Sequence, residues 1–176
     1  MKKALFLDRD GIVNVDTTYL HESKDVVFMN GIFDVCKKAE ELGYIIIIVT
    51  NQSGIARGYY PIENVESLHV WMKGEFARRG IFITDIFISP YHPKGTIPKY
   101  TATHNDRKPK PGMLLKAAEK YNIDFSKSLM VGDKSSDRIE IENLKSIILK
   151  SKYSVEDDAG YDIEDLREVI GFLESD

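Results

Sequence analysis

The chain has 176 residues, 43% hydrophobic and 30% charged, and its 24 basic and 28 acidic side chains leave a formal net charge of −4. This length predicts one domain over residues 1–176, able to bury well over half of its unfolded surface. The acidic balance argues against nucleic acid or an anionic membrane surface as a partner, and the lone Cys36 excludes an internal disulfide.

The first apolar run, residues 4–7 (ALFL), ends in Asp8-Arg9-Asp10-Gly11. Charge interrupts it too early for a signal-peptide core, and no later stretch approaches a membrane span, so a cytoplasmic location is expected. Amphipathic spacing then predicts a helix over 31–42, on which Cys36 reads as a small core residue. YIIIIVT at 44–50 is a strand pattern that runs into Asn51-Gln52-Ser53-Gly54. A helix is predicted over 61–79, with His69, Trp71 and Met72 on its buried face, and a strand over 81–89. Residues 89–111 hold five of the six prolines and no periodicity, and loops of that length inside a compact domain are usually functional or disordered. A helix at 112–121, a strand at 128–132, a helix at 136–144, a strand at 146–150 and a helix at 163–174 complete the pattern. The acidic run Glu156-Asp157-Asp158 reads as a solvated loop.

Strand–helix alternation of this kind predicts an α/β domain, Rossmann-like, with a mostly parallel sheet between helices. Only 39 residues separate Asp10 from Thr50, and they must supply a loop, a helix and a strand. No separate cap domain fits there, nor between 61 and 88, so the site is expected to be open and the chain to act as a monomer.

In an open parallel sheet, ligands bind at the carboxyl ends of the strands. Asp8 and Asp10, Thr50 through Gly54, Arg107 and Lys108, and Gly132-Asp133-Lys134 would all converge there. Carboxylates, a hydroxyl beside glycine-rich backbone and a fixed cation form the set that phosphoryl transfer to water needs. Asp8, Asp133 and a backbone carbonyl are hard oxygen ligands suited to Mg²⁺. Asp8 would attack phosphorus to give an aspartyl phosphate. Asp10 would serve as general acid, then general base, while Thr50 and Lys108 would stabilise the phosphoryl oxygens.

DRDGIVN, TNQSGIARG, RKPKPGML and MVGDKSSD, collinear from about Lys3 to Lys150, together resemble the haloacid dehalogenase superfamily of phosphohydrolases. More narrowly, they resemble its D-glycero-D-manno-heptose-1,7-bisphosphate 7-phosphatase branch, related to histidinol phosphatases. That resemblance implies Asp8 as nucleophile, Asp10 as acid/base, and Thr50 and Lys108 on the phosphoryl group. It also implies a Mg²⁺ ion on Asp8, the Asp10 carbonyl and Asp133. Substrate contacts are implied at Asp16, Thr17, Thr18 and Tyr19, at Asn51, Gln52 and Ser53, and at Arg107 and Lys134. The implied partner is a small sugar phosphate used in making lipopolysaccharide heptose.

The family's zinc-binding cysteines are replaced here by Ser89, Tyr91, His104 and Asp106, so a structural zinc is not expected. His92, His104 and Asp106 retain a possible metal set. Lys110 competes with Lys108 for the cation role, and the family pattern favours Lys108. Asp137 is either a helix-start acid or a support for the metal, and His21 either lines the pocket or stays outside it. The enzymatic alternative is a histidinol-phosphate or other small phosphomonoester phosphatase. A phosphoacceptor signalling domain would use the same Asp, Thr and Lys, but a positioned Asp10 argues against a lasting phosphoaspartate. A binding protein without catalysis would lack a motif residue, and none is missing.

Overall fold

A computed structural model of the chain describes residues 1–153, 155 and 160–175. The run Glu156-Asp157-Asp158 lies outside the described residues. Five strands form one sheet: β1 Lys3–Leu7, β2 Tyr44–Asn51, β3 Ile83–Ser89, β4 Leu129–Gly132 and β5 Lys145–Ile148. Their order is β3-β2-β1-β4-β5, and every pairing is parallel. The helices are α1 Ile32–Glu41, a short α2 Ser53–Ala56, α3 Ile62–Ala77, α4 Gly112–Tyr121 and α5 Val169–Glu174.

Successive strand residues face opposite sides of a sheet, and β1 divides its apolar run accordingly. Leu5 and Leu7 pack with Ile46 and Ile48 against Val35 of α1, Phe76 of α3 and Val169 of α5. Ala4 and Phe6 pack with Ile47 and Val49 against Met113, Leu114 and Ala117 of α4. Both faces are therefore covered, which is why these strands read as continuous apolar runs. Between Gly11 and α1, and between β3 and α4, the described chain forms loops with single 3₁₀ turns at Ser23–Asp25 and Pro98–Tyr100. Among the described residues, no cap domain stands over the strand ends. Among the described residues, no helix is long and apolar enough to cross a membrane.

Two expected helices are corrected. Residues 136–144 carry only a 3₁₀ turn, Ser135–Asp137, and no α-helix. The Asp137 carboxylate folds back onto the Asp133 and Lys134 amides, and the chain leaves the turn at Arg138 in a non-helical conformation. Ile139-Glu140-Ile141-Glu142 also alternates with period two, a pattern a helix does not favour. The final helix is α only over Val169–Glu174, preceded by a 3₁₀ turn at Leu166–Glu168 that the Asp165 side chain caps. The four-residue α2 was not expected.

The Pro-rich segment is tied down along its length. The Thr96 and Ile97 amides donate to the Ala56 carbonyl at 2.7 and 2.9 Å, and His92 donates to the Tyr100 carbonyl at 3.1 Å. The Tyr91 and His104 rings stack at 3.7 Å.

Candidate active site

The register sets which residues meet. Leu7 pairs with Ile48 on one side and Val131 on the other, so Asp8 follows directly at the carboxyl edge, its amide donating to the Val131 carbonyl at 2.9 Å. Thr50 and Asn51 close β2 at the same edge, and Asp133 follows β4. Two glycines permit the close approach. Gly11 has φ +94°, and a Cβ there would stand 2.2 Å from Asp133 Oδ2; a Cβ on Gly132 would stand 2.1 Å from Asp137 Cγ.

Lys108, 3% exposed, donates through Nζ to Asp8 Oδ1 at 2.8 Å and to Asp137 Oδ1 at 2.5 Å. Asp8, Asp133 and Asp137 each bring a carboxylate oxygen within 4.8 Å of the others. Three buried carboxylates therefore crowd together around one buried ammonium, which pairs with two of them. Burial and the neighbouring Asp137 push the Asp8 carboxyl up to about 8 despite Lys108, with Asp133 adding to the rise. Burial and Asp137 likewise push Asp133 up to about 6, against the pull of Lys134. Burial alone would lower Lys108, but Asp137 and Asp8 outweigh it and hold the ammonium charged. The cluster is short of positive charge.

That shortage tests the fit to Mg²⁺. Asp133 Oδ1 is buried with no hydrogen-bond partner, a costly state for a carboxylate unless a cation is to meet it. Asp137 is different: Oδ1 takes Lys108, and Oδ2 accepts the Asp133 and Lys134 amides, each at 3.1 Å. Hard oxygen donors at Asp8 and Asp133, beside an orphaned oxygen, suit a divalent ion. Asp137 holds Lys108 and the Asp133 turn in place.

Asp10 has a contrasting environment. The fully buried Arg9 grips it through Nε at 3.1 Å and Nη2 at 2.8 Å to Oδ1. Asn14 Nδ2 and Gln52 Nε2 add donors, each at 3.0 Å. Burial would raise the Asp10 carboxyl, but Arg9, Asn14 and Gln52 together hold it below the usual range. Arg9 is anchored in turn by the Leu20 carbonyl at 2.9 Å and by His69 Nε2 at 3.1 Å from Nη1. Burial, followed by Arg9, drives His69 down to about 3, so it stays neutral and accepts from Arg9. His69, expected as a partly buried structural histidine, is a strut for Arg9 and through it for Asp10.

The remaining expected residues take varied positions. A cavity of about 150 Å³ is walled by Asp8, Asp10, Ser53, Arg107, Lys108 and Lys134, among others. A second of about 160 Å³ adjoins it, with Asp16, Thr18, Tyr19, Gln52, Tyr60 and Tyr153 in its wall. Thr50 is buried, and its Oγ1 accepts from Gln52 at 2.8 Å, which leaves its own proton free to donate. The Asn51 side chain grips the Lys108 backbone in both directions, at 3.1 and 3.0 Å. Thr18 and Tyr19 both adopt positive φ, +59° and +56°. Thr17 is exposed and outside both cavity walls. His21 stacks on Tyr60 at 4.4 Å and also lies outside both walls. Lys110 is exposed, whereas Lys108 reaches the carboxylates.

Sequence reasoning missed Tyr153, whose hydroxyl donates to Asp16 Oδ2 and whose ring lies 4.5 Å from Lys134 Nζ. No local motif marks it, because the contact spans the whole chain. In the Pro-rich loop, His104 Nδ1 accepts the Asp106 amide at 3.0 Å and Asp106 pairs with Lys116 at 2.5 Å. Ring stacking, turns and that ion pair hold the segment's shape.

A parallel sheet whose carboxyl edge gathers Asp8, Asp10 and Asp133 around Lys108 of the loop before α4 has the residues of an Asp-based phosphohydrolase of the haloacid dehalogenase superfamily. A sequence model of the polynucleotide kinase 3 phosphatase family matches residues 6–161, and the chain belongs to that family. It is 47% identical over 134 residues to the D-glycero-beta-D-manno-heptose-1,7-bisphosphate 7-phosphatase of Yersinia pestis, across 76% of this chain and 71% of the relative. A HAD-like phosphatase of Mesorhizobium loti superposes with a TM-score of 0.84 at 29% identity, covering 99% of this chain and 87% of its own. The D,D-heptose 1,7-bisphosphate phosphatase of B. bronchiseptica, solved with magnesium and phosphate, shares the fold, with a TM-score of 0.80 at 24% identity over 98% of each chain.

Proposed function

We propose that the chain is a Mg²⁺-dependent phosphomonoester hydrolase that removes the 7-phosphate of D-glycero-D-manno-heptose 1,7-bisphosphate through an aspartyl phosphate. The observation that carries this reading is the buried Asp8–Lys108–Asp137 relay beside the orphaned Asp133 oxygen. The name of the Yersinia pestis relative supports the substrate. Asp8, Asp133 and the Asp10 carbonyl would hold a Mg²⁺ ion, which when bound would supply the charge that lets an anionic nucleophile meet an anionic phosphate.

Asp8 forms its O–P bond as the bond from phosphorus to the sugar oxygen breaks, and Asp10 passes a proton to that leaving oxygen. Asp10 then takes a proton from water as the water attacks phosphorus and frees Asp8. Asp10 is held ionised at rest, which suits the second step. An arriving phosphate raises its proton affinity for the first, because like charge disfavours the ionised form. Lys108, Thr50 and the Ser53 region face the phosphoryl oxygens, while Arg107, Lys134 and Asp16 through Tyr19 bind the remainder of the substrate. The grip of Arg9 and Gln52 on Asp10, in the same cavity wall as Asp8, favours turnover over a lasting phosphoaspartate. A single domain over residues 1–176, acting as a cytoplasmic monomer without nucleic-acid or membrane partners, completes the reading.

Phosphate release across heptose 1,7-bisphosphate, histidinol phosphate and hexose phosphates tests it. The heptose bisphosphate should give the highest kcat/KM; a clear preference for histidinol phosphate would move the assignment to the related branch. Asp10→Asn should lower kcat about 10²- to 10⁴-fold, the usual worth of a positioned acid/base. An unchanged rate would mean that the proton comes from elsewhere. Arg107→Ala should raise KM more than it lowers kcat, because it removes binding common to ground and transition states. The reverse pattern would assign Arg107 to the transition state.

A further inference from the structure

Residues 16–21 border the second cavity with little main-chain structure to hold them. Among the described residues, they make no backbone–backbone hydrogen bond. Thr18 and Tyr19 are consecutive in the left-handed region, at φ +59° and +56°, an unusual state for a β-branched residue. Such conformations persist only where the surroundings impose them. Side chains do the fastening here. Asp16 Oδ1 accepts the Thr18 amide at 3.0 Å, His21 Nδ1 lies 2.8 Å from the Tyr19 carbonyl, and Arg9 Nη2 donates to the Leu20 carbonyl at 2.9 Å. The entry to the turn therefore depends on Asp16.

Asp16 is fixed in turn from the far end of the chain. The Tyr153 hydroxyl donates to Asp16 Oδ2, and burial, followed by that hydrogen bond, pushes the hydroxyl up so that it keeps its proton. Lys134 Nζ lies 3.8 Å from the same carboxylate oxygen and 4.5 Å from the centre of the Tyr153 ring. Tyr153 can serve as a fastener because its own backbone is anchored. Its amide donates to Ser151 Oγ at 3.2 Å, Ser151 Oγ donates to the Asp133 carbonyl at 3.1 Å, and the Tyr161 hydroxyl donates to the Tyr153 carbonyl. A strap thus runs from the end of β4 to the turn at Asp16. Tyr153, Asp16, Thr18, Tyr19 and Lys134 all wall the second cavity. A carboxylate has about four lone-pair sites, so Asp16 keeps room for a further donor beside the Lys134 ammonium.

We propose that Tyr153 is a positioning residue for substrate selection. Its hydroxyl sets the Asp16 carboxylate, and with it the turn at Thr18 and Tyr19, so that Asp16 and Lys134 meet a hydroxyl-bearing substrate as a fixed pair of acceptor and donor. The inference deepens the phosphatase reading and rests on it. Tyr153 acts on the part of the substrate that is not transferred, and its removal falls on binding more than on the chemical step.

The test measures Y153F, D16N and the double variant on two substrates. One is p-nitrophenyl phosphate, which has no hydroxyl to offer the second cavity; the other is whichever sugar phosphate the wild-type chain hydrolyses with the highest kcat/KM. Y153F keeps the ring beside Lys134 and deletes only the hydroxyl. It should raise KM for the sugar phosphate about tenfold, the scale of one hydrogen bond to a charged group, and lower kcat by less. The loss of kcat/KM on p-nitrophenyl phosphate should be clearly smaller. D16N, which keeps an oxygen for Thr18, should reproduce the rise in KM. The double variant should be no more than about twofold worse than the poorer single one, because two groups of one hydrogen bond do not add. An unchanged KM in Y153F, additive effects, a fall in kcat alone, or equal losses on both substrates would overturn the positioning role and leave the phosphatase reading standing. A wild-type chain inactive on every substrate, p-nitrophenyl phosphate included, would overturn both.

Discussion

Asp8→Asn should abolish turnover, by about 10⁴-fold or more, while the protein remains folded with a Tm equal to or above that of the wild type. An amide oxygen is too weak a nucleophile to open a phosphoester, so the loss is that of a knocked-out nucleophile. Stability moves the other way because Asp8 is one of three clustered buried carboxylates, two of which pair with the Lys108 ammonium. Removing one charge relieves repulsion, and the Asn side chain keeps an oxygen for Lys108. The pH dependence supplies a second reading. The Asp8 carboxyl lies at about 8 in the folded, metal-free chain against an ordinary value of 3.8. A folded pKa raised above the unfolded one contributes stability that is complete below the unfolded value and is lost as pH rises through the folded one. The metal-free wild type should therefore lose Tm between about pH 4 and pH 8, and Asp8→Asn should flatten that slope. Substantial residual activity would remove Asp8 as nucleophile. A steep Tm loss at neutral pH in the variant would mean that the carboxylate stabilises the fold instead of straining it.

How much of this was legible in the sequence follows from how local each feature is. The strands that carry Asp8, Thr50 and Asp133 are short apolar runs, buried on both faces, and their ends mark the site edge without help from the rest of the chain. Lys108 was readable from the family pattern alone, because both it and Lys110 flank prolines in an extended stretch. Asp137 was left open, since its role depends on a turn that folds back on itself. Only with Gly132 bare of a Cβ can that carboxylate meet the Asp133 and Lys134 amides. The same closure erased the helix expected over 136–144. Arg9 and His69, 60 residues apart, and Tyr153 and Asp16, 137 apart, are contacts of tertiary packing that no period in the sequence records. The charged strand-end motifs were thus readable, and the struts that aim them were not.

Lys108→Met should combine a loss of activity with a loss of stability that depends on pH and metal. The Lys108 ammonium is the cation placed on Asp8 Oδ1, and removing a preorganised donor of this kind costs about 10²- to 10³-fold in kcat. Structurally, methionine fills the lysine stem but leaves Asp8, Asp133 and Asp137 without their buried counter-charge. Breaking a buried pair by deleting one partner costs about 3–5 kcal/mol, because the stranded charge stays out of water. That deficit should appear in the metal-free variant at neutral pH. It should shrink towards pH 4, since without the ammonium the folded carboxyls rise still further above 3.8, and a raised folded pKa stabilises only at pH values below it. Saturating Mg²⁺ should recover part of the Tm, the added ion standing in for the missing ammonium. Lys110→Met, at an exposed position on the same loop, should leave Tm essentially unchanged and alter kcat by no more than about twofold, in keeping with surface substitutions elsewhere. A stability deficit in Lys108→Met that ignores pH and metal would make the side chain a packing element, and a large activity loss in Lys110→Met with Lys108→Met unaffected would transfer the cation role to Lys110.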